Sequence, residues 1–259
     1  PQATYAENLT CCVCMEDLQV DADTFSRITC CGKGMHKHCD AGVKASKMSR
    51  AQKSRCPECR QKIPTSAEEH VKQVRVWVDK HKAWAQNMLA NYYCMGTGVQ
   101  QSYERAIEYL NMAIKQGDSN AMFQLATMHE QGQGVATSVE KATELYALAA
   151  KQGHARAQYN LGHAYSNGGE GVAQSDRKSI ELFTLAGNQG NVSAQHNLGN
   201  IYYRGASGVV QSNGMARKWW LKAALQEFEG AIFNLKIVDK QEGKTTPTLP
   251  CCAACGTPK

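Results

Sequence analysis

From Ala85 onward the chain copies itself every 36–37 residues. A repeat of that length holds one helix-turn-helix unit, which cannot bury its apolar face alone and must stack on its neighbours. The copied first-helix segments are Ala85-Gln86-Asn87-Met88-Leu89, Ala121-Met122-Phe123-Gln124-Leu125, Ala157-Gln158-Tyr159-Asn160-Leu161 and Ala194-Gln195-His196-Asn197-Leu198. Eight residues after each Ala comes a ring (Tyr93, His129, Tyr165, Tyr202), then a Gly-rich turn: Gly96–Val99, Gly132–Val135, Gly168–Val172 and Gly205–Val209. The later two turns are one residue longer, which a surface loop tolerates. Second helices are expected over Glu104–Gln116, Glu140–Gln152, Arg177–Gln189 and Met215–Glu227. The first three run into Gly117, Gly153 and Gly190, the residue suited to a left-handed helix end, whereas the fourth reads Gln226-Glu227-Phe228. Ala113, Ala149, Ala186 and Ala223 recur inside these helices, and small side chains there let paired helices approach closely.

This pattern resembles the Sel1-like repeat family, relatives of the tetratricopeptide repeat, over residues 83–238. Repeats three and four nearly complete the family signature, while repeats one and two carry Ala90 and Ala126 in place of its Gly, and repeat two has His129 in place of its Tyr. The resemblance implies units at 83–118, 119–154, 155–191 and 192–229, closed by a capping helix at 230–238 that starts Gly230-Ala231-Ile232-Phe233-Asn234-Leu235. It also implies an all-α helix-turn-helix solenoid that binds an unidentified protein partner. The three positions after each repeat Ala vary most and are the candidate ligand groove. Upstream, Ser66-x-x-Glu69 is a capping box, and Val71, Val74, Val78 and His81 mark one face of a connecting helix within 65–82. That helix either stiffens the junction to the array or hinges at Lys80-His81-Lys82.

The first 64 residues obey another logic. Cysteine and histidine fall there as Cys11-x2-Cys14, Cys30-Cys31, His36-x2-Cys39 and Cys56-x2-Cys59. Eight such ligands fit two tetrahedral zinc ions, and short C-x2-C turns are a common way to present them. Large apolar residues are few in this stretch, so a domain of about 50 residues needs a metal to fold alone. Reduced, buried thiols are the plain alternative.

The spacing resembles the RING finger over residues 8–64, a small zinc-stabilised α+β domain. In that family the ligand pairs interleave. Carried over, Cys11, Cys14, His36 and Cys39 hold one zinc, and Cys30, Cys31, Cys56 and Cys59 hold the other. Lys33 stands where the commonest RING has a histidine, so the adjacent cysteines are assigned instead; His38 and Cys12 stay open as substitutes, His38 against His36 above all. The resemblance implies a ubiquitin ligase that recruits a ubiquitin-conjugating enzyme charged with ubiquitin. Val13, Val43 and Pro57 occupy the docking positions, and Arg60 the cationic linchpin after the last ligand, where a planar fork suits two partners at once. None of the cysteines acts as a nucleophile. The rival reading is a non-catalytic, zinc-stabilised adaptor whose helical array does the binding.

Composition narrows the rest. The 259 residues are 42% hydrophobic with a formal net charge of +6. No run of 18 apolar residues predicts a membrane span. Twelve cysteines in metal-type spacing point to a reducing compartment, cytoplasm or nucleus. Basic residues crowd the segment from Lys33 to Lys62, but no aromatic residues alternate with them, which argues against nucleic acid. No phosphate loop, hydrolase triad or paired carboxylates stand out. Cys94, Trp219 and Trp220 read as helix-packing residues. The chain starts without Met and without a secretory pattern, as an internal piece would. Residues 239–259 read as a disordered tail, whose Cys252-x2-Cys255-Gly256 resembles the opening of a MYND-type finger.

Overall fold

The structure is a computed structural model and describes residues 25–27, 34–36, 41, 44–46, 55–56, 59, 61–168, 172–206 and 208–244. Two short strands, β1 (Phe25–Arg27) and β2 (Gly34–His36), pair antiparallel with Phe25 opposite His36 and Arg27 opposite Gly34. Ten helices follow among the described residues: α1 Ala67–Asp79, α2 Ala83–Met95, α3 Tyr103–Lys115, α4 Ser119–Gln131, α5 Val139–Lys151, α6 Ala155–Asn167, α7 Asp176–Asn188, α8 Val192–Arg204, α9 Asn213–Ala224 and α10 Glu229–Gln241. They fall in two compact units, α1–α4 up to Ala136 and α5–α10 from Thr137.

The helix starts are written in the sequence. Each second-type helix opens on a serine, Ser102, Ser138, Ser175 or Ser212, whose hydroxyl accepts the amide N–H three residues on. Such a cap satisfies one of the amides that a helix start leaves without an internal partner. First-type helices use Asp118, His154 and Asn191 in the same way, His154 through Nδ1 at 3.1 Å from the Ala157 nitrogen. Ser66 caps α1, while Glu69 returns to the Thr65 amide at 3.0 Å.

Helix ends follow φ. Gly117, Gly153 and Gly190 sit at φ 84°, 87° and 93° after α3, α5 and α7. After α9 the same duty falls on Glu227, at φ 63°, and the helix stops at Ala224 rather than running on to Glu227. A residue with a Cβ has to be forced into that region by the turn on either side.

In the first unit Val71, Val74 and Val78 of α1 and Ala85, Leu89, Ala90 and Tyr93 of α2 are buried, with Ala106, Leu110 and Ala113 of α3. In the second, Phe183, Ala186, Ala194, Leu198 and Trp219 form one cluster, and Ala216, Trp220, Ala223, Ala231, Leu235 and Val238 another. Both tryptophans are core residues, 6% and 1% exposed. Close approach explains the signature glycine five residues after the repeat Ala. A Cβ on Gly199 would lie 2.3 Å from the Trp220 ring, and one on Gly162 2.9 Å from Phe183. In α10 that register, five after Ala231, holds the exposed Lys236.

Glutamines hold the pairs together inside the core. Gln86, Gln158 and Gln195 are 1%, 4% and 4% exposed. Each accepts at Oε1 from the glutamine closing its own second helix: Gln116 at 2.7 Å, Gln189 at 2.7 Å and Gln226 at 2.9 Å. In the second unit their own Nε2 groups donate backward, Gln158 to the Ala150 carbonyl at 3.2 Å and Gln195 to Gly187 at 2.8 Å. Those carbonyls belong to the last turns of α5 and α7, where intrahelical N–H donors run out; each also accepts from the glycine amide three residues on, Gly153 at 2.9 Å and Gly190 at 3.2 Å. These glutamines occupy the first position after the repeat Ala, so the expectation that this position faces a ligand groove is corrected: it faces the neighbouring helix end.

Candidate functional site

Of the expected metal ligands, Cys11, Cys14, Cys30, Cys31 and Cys39 lie outside the described residues, as do Val13, Val43, Pro57, Arg60, Cys252 and Cys255. His36 closes β2 by its backbone. Cys56 and Cys59 are both described. An antiparallel bridge joins Arg55 to Lys62, the Cys56 N–H donates to the Gln61 carbonyl at 2.8 Å, and the Cys59 N–H donates to Cys56 Sγ at 3.4 Å. Cys56 is buried and Cys59 exposed. The turn thus closes a small hairpin at a C-x2-C pair and gives the Cys56 sulfur an amide donor. Among the described residues no group of three or more His, Cys, Asp or Glu stands together as a metal site.

The repeat helices build a second candidate surface. Residues three, six and ten after the repeat Ala share one helix face by the 3.6-residue turn. On α6 these are Asn160, His163 and Asn167, and on α8 Asn197, Asn200 and Arg204, all half-buried or exposed. The row is hydrogen-bonded: Asn167 Nδ2 meets His163 Nδ1 at 3.3 Å. Asn234 of α10 donates from Nδ2 to Asn200 Oδ1 at 3.0 Å and lies 3.2 Å from His196 Nε2. His196 also packs on Phe228 with ring centroids 5.0 Å apart, and its carbonyl accepts from Trp220 Nε1 at 3.3 Å. Burial pushes the His196 imidazole below its ordinary range, against an opposing hydrogen bond with Asn197. Neutral His196 accepts the Asn234 amide; the protonated ring has no lone pair to do so.

The corresponding face of the first unit is less polar, with Met88, Asn91 and the exposed Met95 on α2, and Gln124, Thr127 and Gln131 on α4. Gln124 Nε2 lies 3.8 Å from Cys94 Sγ, and burial raises the Cys94 thiol above its usual value, the opposite of an activated nucleophile. Cys94 is half-buried rather than enclosed. Amides that both donate and accept suit a polypeptide backbone; they move no proton and attack no bond.

The repeats themselves decide the kinship. The Sel1 repeat matches residues 85–118, 119–154, 155–191 and 192–228, more than half of the sequence. The chain belongs to the Sel1 repeat family. Its structure is similar to that of a Sel1 repeat protein from Oxalobacter formigenes, with 34% identity over 68% of this chain and 50% of that one, at a TM-score of 0.64. It is also similar to a protective antigen of uropathogenic Escherichia coli strains that displays an SLR fold, with 32% identity over 71% of this chain and 39% of that one, at a TM-score of 0.62. The chain therefore spans half or less of the length of these two relatives. No curated protein matches it. The Sel1 match starts at residue 85, so it does not extend over the cysteine-rich segment. No described helix is long and apolar enough to cross a membrane.

The glutamine pairs and serine caps escaped the sequence reading. Their signal was present: Gln after the repeat Ala in three of four copies, and Ser three residues after the turn valine in all four.

Proposed function

We propose that the chain is a protein-binding scaffold, with the first-helix face of the Sel1 repeats holding an extended segment of a partner protein. The observation that carries this reading is the hydrogen-bonding row of Asn160, His163, Asn167, Asn197, Asn200 and Asn234 on consecutive first helices. Backbone N–H and C=O groups of a partner would pair with these amides, and neighbouring side chains would set specificity. A fluorescence-anisotropy screen of extended peptides against the full chain tests it. A bound peptide should lose about tenfold in affinity for Asn197→Ala or Asn200→Ala, as one or two lost hydrogen bonds predict. It should be indifferent to Glu181→Ala on α7. Peptides unaffected by both asparagine changes would place binding elsewhere.

A second reading concerns residues 8–64, supported by the Cys56–Cys59 turn with its amide aimed at sulfur. There Cys11, Cys14, His36 and Cys39 would hold one zinc and Cys30, Cys31, Cys56 and Cys59 the other, stabilising a RING-like module that adds a second binding surface. The adaptor reading is preferred to ligase activity, because the docking residues Val13, Val43, Pro57 and Arg60 have no support beyond the resemblance. Metal analysis should return two zinc ions per chain. Discharge of ubiquitin from a charged conjugating enzyme, lost in Arg60→Ala at unchanged zinc content, would instead favour the ligase.

A further inference from the structure

Two arginines converge on one phenol in the first unit. Arg75 of α1 donates from Nη2 to Tyr93 Oη at 3.2 Å, and Arg105 of α3 donates from Nη1 to the same oxygen at 3.3 Å. Tyr93 is 3% exposed and stacks on Tyr109, ring centroids 5.8 Å apart and planes 7° from parallel, so the hydroxyl has a fixed place. The Arg105 guanidinium also leans over the Tyr93 ring, 5.6 Å from its centroid. Both arginines are otherwise exposed. Glu108, one turn along α3, adds a favourable charge to Arg105, yet among the described residues no carboxylate closes an ion pair with either guanidinium.

The arrangement costs Coulomb energy, since two cations stand within about two hydrogen-bond lengths of each other. Each spends one donor on Tyr93 and keeps the rest of its planar fork open. The phenol accepts twice, and no described group accepts its own hydrogen. The open donors of two exposed guanidiniums therefore flank one point beside the buried phenol with a net positive charge. A carboxylate offers two oxygens to such a point; a phosphoryl group offers three and nearly twice the charge.

We propose that Arg75, Arg105 and Tyr93 form an oxyanion-binding site that takes a phosphorylated side chain of a protein. The site uses α1 and α3 rather than the amide-bearing first-helix face, so it goes beyond the scaffold reading and can fail independently of it. Tyr109, the ring beside this phenol, already spends a face on Tyr93, which disfavours RNA as the phosphate's source.

The test follows the Arg75 and Arg105 Nε–H signals by NMR while the full chain is titrated with N-acetyl-O-phosphoserine amide. Inorganic phosphate, acetate and a short single-stranded RNA serve as the other arms. Saturable shifts at both arginines are expected. Phosphoserine amide should bind more tightly than acetate, and the dissociation constant should rise at least about tenfold in the Arg75→Ala/Arg105→Ala double variant. The Arg75→Lys/Arg105→Lys variant keeps the charge without the fork and should fall between; helical circular dichroism should be unchanged in both. Absence of saturable shifts, equal affinity for acetate, or an unaltered constant in the alanine variant would overturn the site. Binding of inorganic phosphate alone, or tighter binding of the RNA lost in the same variant, would overturn a phosphorylated protein as its ligand.

Discussion

At Glu227 a charged side chain does the work that glycine does three times elsewhere. Its φ of 63° stands against 84°, 87° and 93° at Gly117, Gly153 and Gly190. Left-handed backbone costs a residue with a Cβ about 1 kcal/mol or more, part of which the extra freedom of glycine in the unfolded chain returns. Glu227→Gly should therefore stabilise the second unit by about 0.5–1 kcal/mol, read as a higher urea midpoint at unchanged slope. Gly199→Ala should do the reverse. A methyl 2.3 Å from the Trp220 ring has nowhere to go, and overpacking of this kind costs about 1–3 kcal/mol. His196 sets a pH dependence. Its folded pKa lies below the ordinary 6.5, so the unfolded chain binds the extra proton more readily. Stability is thus fully present above pH 6.5 and lost as pH falls below it; melting curves of His196→Gln should be flatter over that range. The glycines were legible because a positive φ leaves a one-letter signature. The buried glutamines were not, because an amide in a helix reads as surface until its partner 30 or 31 residues away is known.

At the scale of the element, the repeats owe their boundaries to caps more than to hydrophobic pattern. Every second helix starts on serine, and Ser175→Ala should cost about 1 kcal/mol by leaving the Lys178 amide without its acceptor. The 36–37-residue period and its ring and glycine positions sufficed to identify an all-helical array of Sel1 repeats. Polarity by position was harder to read. Residues just after the repeat Ala vary, yet variation there reflects the change from Gln to Met122 in a buried slot, 7% exposed, rather than contact with a ligand. The closing helix α10 adds an interaction with no counterpart in the signature. Asp239, 1% exposed, accepts from Arg217 Nε at 2.7 Å. Arg217→Ala would leave a buried carboxylate without its counter-charge and should loosen α10 by about 2 kcal/mol, measured as faster amide exchange across Glu229–Gln241.

For the molecule as a whole, two kinds of stability are expected side by side. The helical units rest on apolar layers and amide pairs that owe nothing to metal, whereas residues 8–64 carry few large apolar side chains and eight candidate ligands. Strong chelation should leave the helical circular dichroism of the repeats intact while removing zinc and shifting NMR signals around Cys56 and Cys59. A chain whose signals there ignore chelation would leave those thiols as ordinary packing groups. The C-x2-C spacing is a local pattern and shows in the sequence where two thiols fall close together; what they pair with depends on contacts no local pattern encodes.

Lys236 has a bearing on how such a protein could grow. Where a second helix lies against a first in the second unit, the crossing point has no side chain, Gly162 facing Phe183 and Gly199 facing Trp220. An ammonium on a four-carbon stem at that crossing would have to be desolvated or pushed aside before another ring could settle there. Tandem duplication of a repeat is thus tolerable when spliced in ahead of α10 and self-defeating when appended to it, unless the lysine first mutates to something small.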